Sequence, residues 1–433
     1  MKSRGLYIAT AVLVILGGLW YWSEHRKPSA ETSKTSADTP PAILKLDQGS
    51  INALQLTKRD SPALALARKS SGEWQITAPK MLRADQSAVS ELLGAVSSLN
   101  SERLVEDKAT DPSQYGLAPA MLQVDLAEKD NKSQKLLIGD DTPTGGAVYA
   151  MLAGDPRVFT VASYTKTSLD KGVNDLRDKR LITATADNIS RVELIKKSPG
   201  LEFGRNQDEW QILKPKLLRA NNSEVGDLVR QLTEAKMDAT ADAAKASSDF
   251  AKAATVATAK VTDQSGTQQL EIRKTRDDYY AKSSAAEGAY KIDSALGKEV
   301  EKHLEDFRNK SLFDFGFTTL NKIEIHSGAK SYLLTRGTAG EDDWWSSGKK
   351  VDGTKVSDLV SKLRDLSAAG FVDSGFSNPT IELSVTSNDG KRTENVSIAR
   401  SGDGYIAQRK GEPTLYKLSS VGVDGLLKAA SAL

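Results

Sequence analysis

This 433-residue chain has no cysteine and only three histidines, His25, His303 and His326. Without cysteine there are no disulfides, no thiolate nucleophile and no Cys-ligated zinc or iron–sulfur centre. His303 sits in the helical run EVEKHLEDF, His326 in the strand-like KIEIHSG and His25 beyond an apolar stretch, so no two of them have ligand spacing. The neighbouring carboxylates Asp140-Asp141 and Asp277-Asp278 would point to opposite faces of a strand, which rules out a shared proton or chelated cation. The loop from Gly139 to Tyr149 holds three glycines but lacks G-x-x-x-x-G-K-[ST] and runs between strands, so it reads as a hairpin and not a phosphate cradle. Ser168 and Lys171 match S-x-x-K, yet the companion S-D-N and K-T-G motifs of serine acylases are missing, and there is no G-x-S-x-G. These residues predict no catalytic, metal or cofactor site and no enzyme; a hydrolase using Ser168 and Lys171 is the minor alternative.

The elements that would carry any binding surface are repeated. Glu73 to Val96 aligns with Glu209 to Leu232 without a gap, with 12 of 24 positions identical, and Asp343 to Leu363 is a weaker third copy. Val89, Leu92, Leu93 and Val96 become Val225, Leu228, Val229 and Leu232, then Val356, Leu359, Val360 and Leu363. Each set follows the i, i+3, i+4, i+7 spacing of an amphipathic helix. Asp85, Asn221 and Asp352 stand just before these helices as N-caps. Period-two runs such as Ile51 to Arg59 and Met121 to Lys129 predict antiparallel strands. The expected fold class is therefore α+β, with three tandem repeats at 43–184, 185–314 and 315–433, each an antiparallel sheet with packed helices. The segment from Glu234 to Lys260, rich in Ala, Lys, Asp and Thr, reads as either helix or loop.

Ahead of the repeats, Leu6 to Trp22 is an uncharged 17-residue run flanked by Lys2 and Arg4 and ending in Trp20, Tyr21 and Trp22. It predicts a transmembrane anchor at 6–22, with a cytoplasmic N-terminus at 1–5, a Pro/Ser/Thr-rich linker at 23–42 and the folded body outside the cytoplasm. A cleaved signal peptide is the competing reading. The 59 Lys+Arg nearly cancel the 57 Asp+Glu, leaving +2, so no large field remains to attract nucleic acid.

The W-x-I-x-x-P…A-D…V-x-x-L-L pattern from Trp74 to Leu93, Tyr115-Gly116-Leu117, the L-I-G-D…Y-A run from Leu137 to Ala150 and the closing Leu176 to Leu181 together resemble the bacterial family catalogued as domain of unknown function 4340. That resemblance implies a membrane-anchored envelope protein, an accessory or scaffold subunit of a gliding-motility-type ABC transporter that contacts its permease and ATPase at the inner membrane. It implies no catalytic residue. Recognition of a periplasmic polysaccharide or peptidoglycan is the alternative function. For either, the candidate contact residues are the adjacent Trp344 and Trp345, one of which should face outward from a strand, and the basic closers Arg177, Arg180 and Arg308 with Lys179 and Lys310.

Overall fold

A computed structural model describes residues 41–433 apart from 130, 198, 239–240 and 338–342. Three large antiparallel sheets follow one another along the chain with a common order. The first runs, from edge to edge, Leu82–Arg83, Trp74–Ala78, Leu64–Arg68, Ile51–Lys58, Leu122–Glu128, Ser133–Asp141, Ala147–Leu152, Val158–Ala162 and Arg103–Glu106. The third repeats this nine-strand order from Lys349–Val351 at one edge to Gly370–Val372 at the other. The second has the same first eight strands, ending at Ala289–Ile292. In each, a meander of four strands runs to one edge, a helix follows, and the chain returns to the middle of the sheet to lay down the other four.

Alternation along the strands decides what each sheet buries. Leu122, Val124 and Leu126 point into the first core while Gln123 and Asp125 lie on the other face. Against that inner face packs helix α1 (Gln86–Ser97), which inserts Val89, Leu92, Leu93 and Val96. Two shorter helices, α2 (Ser163–Leu169) and α3 (Val173–Leu176), close the first repeat. The second repeat has α4 (Asn222–Glu234), α5 (Ala243–Lys252), α6 (Ser294–Glu301) and α7 (Leu304–Phe307); the third has α8 (Gly353–Asp365) and α9 (Ser420–Ser431). The caps are in place: the carboxylate of Asp85 accepts from the N–H of Ser87 and Ala88, Asn221 from Ser223 and Glu224, and Asp352 from Thr354. Among the described residues no α-helix stands at the position of α5 in the other two repeats. Helix α5 resolves the ambiguous stretch after Glu234 and sets Ala246 and Phe250 against Tyr280 and Ala289, on the sheet face opposite the main core.

Two compact units divide after Asp178, the second running from Lys179 to Leu433 and holding the second and third repeats. Leu181, Ile182 and Ala184 belong to the second core, and Leu312, Phe313 and Phe315 to the third. Each basic closer therefore ends one repeat and leads straight into the apolar entry segment of the next, a few residues before the boundaries drawn from the sequence.

The expected architecture needs one correction. The predicted anchor at 6–22, with the N-terminus at 1–5 and nearly all of the linker at 23–42, lies outside the described residues. Among the described residues no helix is long and apolar enough to cross a membrane. Helices α4 and α8, at 13 residues each, span only about 20 Å against a hydrocarbon core of about 30 Å. The fold class is accordingly α+β, with three large sheets and interspersed helices, and among the described residues no membrane-spanning helix. The single-pass inner-membrane placement with an extracytoplasmic body is withdrawn with it.

Candidate functional site

Each repeat carries an arginine directly across a strand pair from its tryptophan: Arg68 opposite Trp74, Arg205 opposite Trp210 and Arg336 opposite Trp344. The Arg68 guanidinium lies 5.2 Å from the Trp74 ring centre and that of Arg205 6.0 Å from the Trp210 ring centre. In the first two repeats the same arginine also reaches the turn that leads into the sheet, donating to the carbonyl of Gln48 at 3.5 Å and of Asp187 at 3.1 Å. The pairing makes Trp344, and not Trp345, the counterpart of Trp74 and Trp210. All three rings are buried.

The third repeat departs from its sisters at this turn. Counting back from the paired strand residues Leu54, Val192 and Ile323 puts Phe317 in register with Gln48 and Ala186. Phe317 is 91% exposed. Beside it a groove of about 560 Å³ opens between α8 and the sheet, lined by Phe317, Leu320, Arg336, Trp344, Val360 and Arg364 among others. Its floor exposes a position that the other repeats close over. Leu93 and Val229 are 2% and 4% exposed, whereas their counterpart Val360 is only half-buried. The Arg364 guanidinium lies over the Phe317 ring, 4.5 Å from its centre, and its Nε donates to the carbonyl of Gly316 at 2.7 Å. Among the described residues no carboxylate pairs with it. Sequence reasoning missed this groove because Val360 keeps the helical apolar spacing. The one signal was Phe317, an aromatic in a turn where Gln48 and Ala186 stand in the other copies.

The predicted contact residues are not gathered at one place. Trp344 lines the groove as part of the core, while Trp345 lies on the opposite face of its strand and shows 37% of its surface. Arg177 is half-buried at the end of α3, in the unit that ends at Asp178. Arg180 is exposed on a short bridge to Lys236. Arg308 is buried: its guanidinium stacks 3.3 Å from the centre of the Phe371 ring and pairs with Glu305 at 3.1 Å. It works inside the joint between the second and third repeats.

That joint holds a charge network which the sequence did not point to. Arg219 donates to Asp314, to the carbonyl of Ser311 at 2.9 Å and to the Tyr416 hydroxyl at 3.0 Å; Arg409 reaches Asp314 at 3.2 Å, Glu394 at 3.1 Å and Glu412 at 2.9 Å. Burial opposes the Arg219 charge, but Asp314, Tyr416 and Glu412 together outweigh it and hold the guanidinium above its ordinary pKa. Burial is also the main influence raising the Tyr416 phenol. Every charge here faces an opposite one, and the arrangement is that of a structural joint.

Among the described residues no group of three His, Cys, Asp or Glu side chains could hold a metal ion. His326 faces Ser331 across a strand pair at 3.0 Å, and His303 opens α7 with its backbone N–H on Asp306. Lys171 follows α2, where its backbone N–H bonds the carbonyl of Leu169, and the intervening Asp170 pairs with Lys58.

The family match is now informative. The model described as Domain of unknown function (DUF4340) matches residues 74–254 and again residues 210–384. The two matches begin at Trp74 and Trp210, the equivalent tryptophans of the first and second repeats. This chain belongs to that family. No curated protein matches it by sequence. Among solved structures, a DNA polymerase sliding clamp from Pseudomonas aeruginosa solved with a ligand is 7% identical over 87% of this chain and 93% of its own, with a TM-score of 0.19. The DNA polymerase III subunit beta of the same organism is 7% identical over 87% and 92%, with a TM-score of 0.17. Scores this low establish no shared fold.

Family membership corrects what the resemblance implied. The match carries neither membrane attachment nor an ABC transporter, so the permease and ATPase partners, the accessory role and the cell-envelope assignment are withdrawn. The polysaccharide or peptidoglycan alternative goes too, since the Trp344 and Trp345 pair on which it rested forms no open platform for sugar stacking. Trp344 is buried and Trp345 presents about a third of its surface on a different face.

Proposed function

We propose that this chain is a non-catalytic binding protein, in which the groove beside α8 in the third repeat receives a peptide segment of another protein. The observation that carries the reading is the half-buried Val360 beneath a 91% exposed Phe317, at a place where the other two repeats bury the equivalent helix residue. Apolar surface left open at one copy of an otherwise closed unit is surface kept for a partner. A groove of about 560 Å³ suits a few side chains of a peptide, and its lining, more polar than apolar, sets Thr, Ser and Arg around Phe317, Leu320 and Val360, so that it can orient a ligand as well as bury part of it.

The test is selection of a random twelve-residue peptide library, displayed on phage, against the full-length protein. Retained clones should lose binding when Phe317→Ser or Val360→Asp is introduced. Clones that bind both variants as well as the native protein would place the binding elsewhere, and the absence of any enriched clone would dismiss the reading.

A further inference from the structure

We infer that the peptide received by this groove carries a carboxylate beside an aromatic or aliphatic side chain, with the carboxylate recognised by Arg364 and the apolar side chain by Phe317 and Val360. The inference rests on the proposed binding function and names the chemistry of its ligand. It begins from Arg364, on the last turn of α8. One nitrogen, Nε, is committed to the Gly316 carbonyl at 2.7 Å, and the guanidinium carbon lies over the Phe317 ring, 4.5 Å from its centre. Phe315 lies 6.0 Å away on the core side. These contacts fix the orientation of the fork and leave its terminal nitrogens without a carboxylate among the described residues. A guanidinium lying over an aromatic ring, with its terminal N–H groups unpaired among the described residues, presents the bidentate donor geometry that matches a carboxylate.

Among the described residues the carboxylates near this helix do not fill that role. Asp343 pairs with Lys350 at 2.6 Å, Asp352 caps the N-terminus of α8, and Asp358 and Asp365 are exposed side chains for which the structure shows no pairing with Arg364. Charge complementarity therefore favours an acidic ligand over a neutral one, and the bare ring next to the charge adds the apolar requirement. A lysine in place of Arg364 would keep the charge but lose the planar fork.

The test uses the full-length protein and synthetic, fluorescently labelled copies of the phage-selected peptides. Selected sequences should be enriched in Asp or Glu next to Phe, Tyr, Trp, Leu or Met. Changing that acid to its amide, or Arg364→Gln, should each weaken binding about tenfold or more, and the two together should weaken it little further. Arg364→Lys should recover only part of the loss. Phe317→Ser, at an almost fully exposed position, should leave the melting temperature unchanged while abolishing binding. Groove-dependent peptides with no acidic residue, or with affinity untouched by Arg364→Gln, would overturn the inference and leave the binding function standing. Peptides indifferent to both Phe317 and Arg364 would overturn both. A concentration-dependent dimer lost on Phe317→Ser would replace the peptide with a second copy of the chain.

Discussion

Replacing Arg219 by methionine should loosen the joint between the second and third repeats and leave the first repeat unaffected. The guanidinium serves Ser311, Tyr416 and Asp314 and lies 3.8 Å from Glu412. Methionine keeps much of the stem's volume but removes one cation from a cluster of part-buried carboxylates. Breaking a buried ion pair from one side typically costs about 3–5 kcal/mol. Here the side chains of Arg219 and Asp314 keep 18% and 23% of their exposure, and Arg409 still reaches Asp314 at 3.2 Å. Partial hydration and the remaining cation reduce the expected cost to about 2 kcal/mol. For a body of this size, at about 2–4 °C per kcal/mol, the calorimetric transition of the unit from Lys179 to Leu433 should fall by about 4–8 °C. The transition of the unit ending at Asp178 should not move. Asp314→Asn should act similarly, and the double variant should cost less than the sum of the two. Arg83, the counterpart in the first repeat, pairs with Asp178 at 3.8 Å, so Arg83→Met should lower the other transition instead. Equal falls in both transitions, or no fall at all, would refute the reasoning.

Three further outcomes are expected. Leu93→Ala should cost about 2–5 kcal/mol, while Val360→Ala, whose side chain is already half in water, should cost about 1 kcal/mol or less; chemical denaturation midpoints compare them. Gly139→Ala would set a Cβ 2.1 Å from the Tyr115 carbonyl, and Gly116→Ala one 2.4 Å from the Asp140 carboxylate at a φ of +66°. Both should be destabilising by about 2 kcal/mol or more, against about 1 kcal/mol for Gly145→Ala in open space at a φ of +74°, read by melting temperature. Asp85→Ala should cost about 1 kcal/mol and raise amide exchange at Ser87 and Ala88, whose N–H groups it caps.

Local chemistry made much of the fold readable. The stripes of α1, α4 and α8 recur at helical spacing because a helix must bury one face, and Asp85, Asn221 and Asp352 precede them because free N–H groups need an acceptor. Strand alternation was equally plain, as in Leu122, Val124 and Leu126. The motif glycines belong with these: Tyr115-Gly116-Leu117 and Leu137 to Asp140 lie against each other, and neither glycine has room for a side chain. That close approach is a tertiary reason for a spacing visible in the sequence.

The sequence by itself determined the repeated α+β unit with its helices and caps, since these follow from periodicity and side-chain chemistry over a few neighbouring residues, while the family rests on the motif match over residues 74–254 and 210–384. Only the tertiary structure decided which side chains meet. Arg219 and Asp314 are 95 residues apart in the chain, and Arg308, expected as a contact residue, packs over Phe371 of the next repeat. Val360 has the same apolar identity as its buried counterparts, and its partial exposure depends on a turn that begins more than forty residues earlier. Whether a residue is core or contact surface depends on what covers it, and the covering segment is brought in by folding and not by sequence proximity.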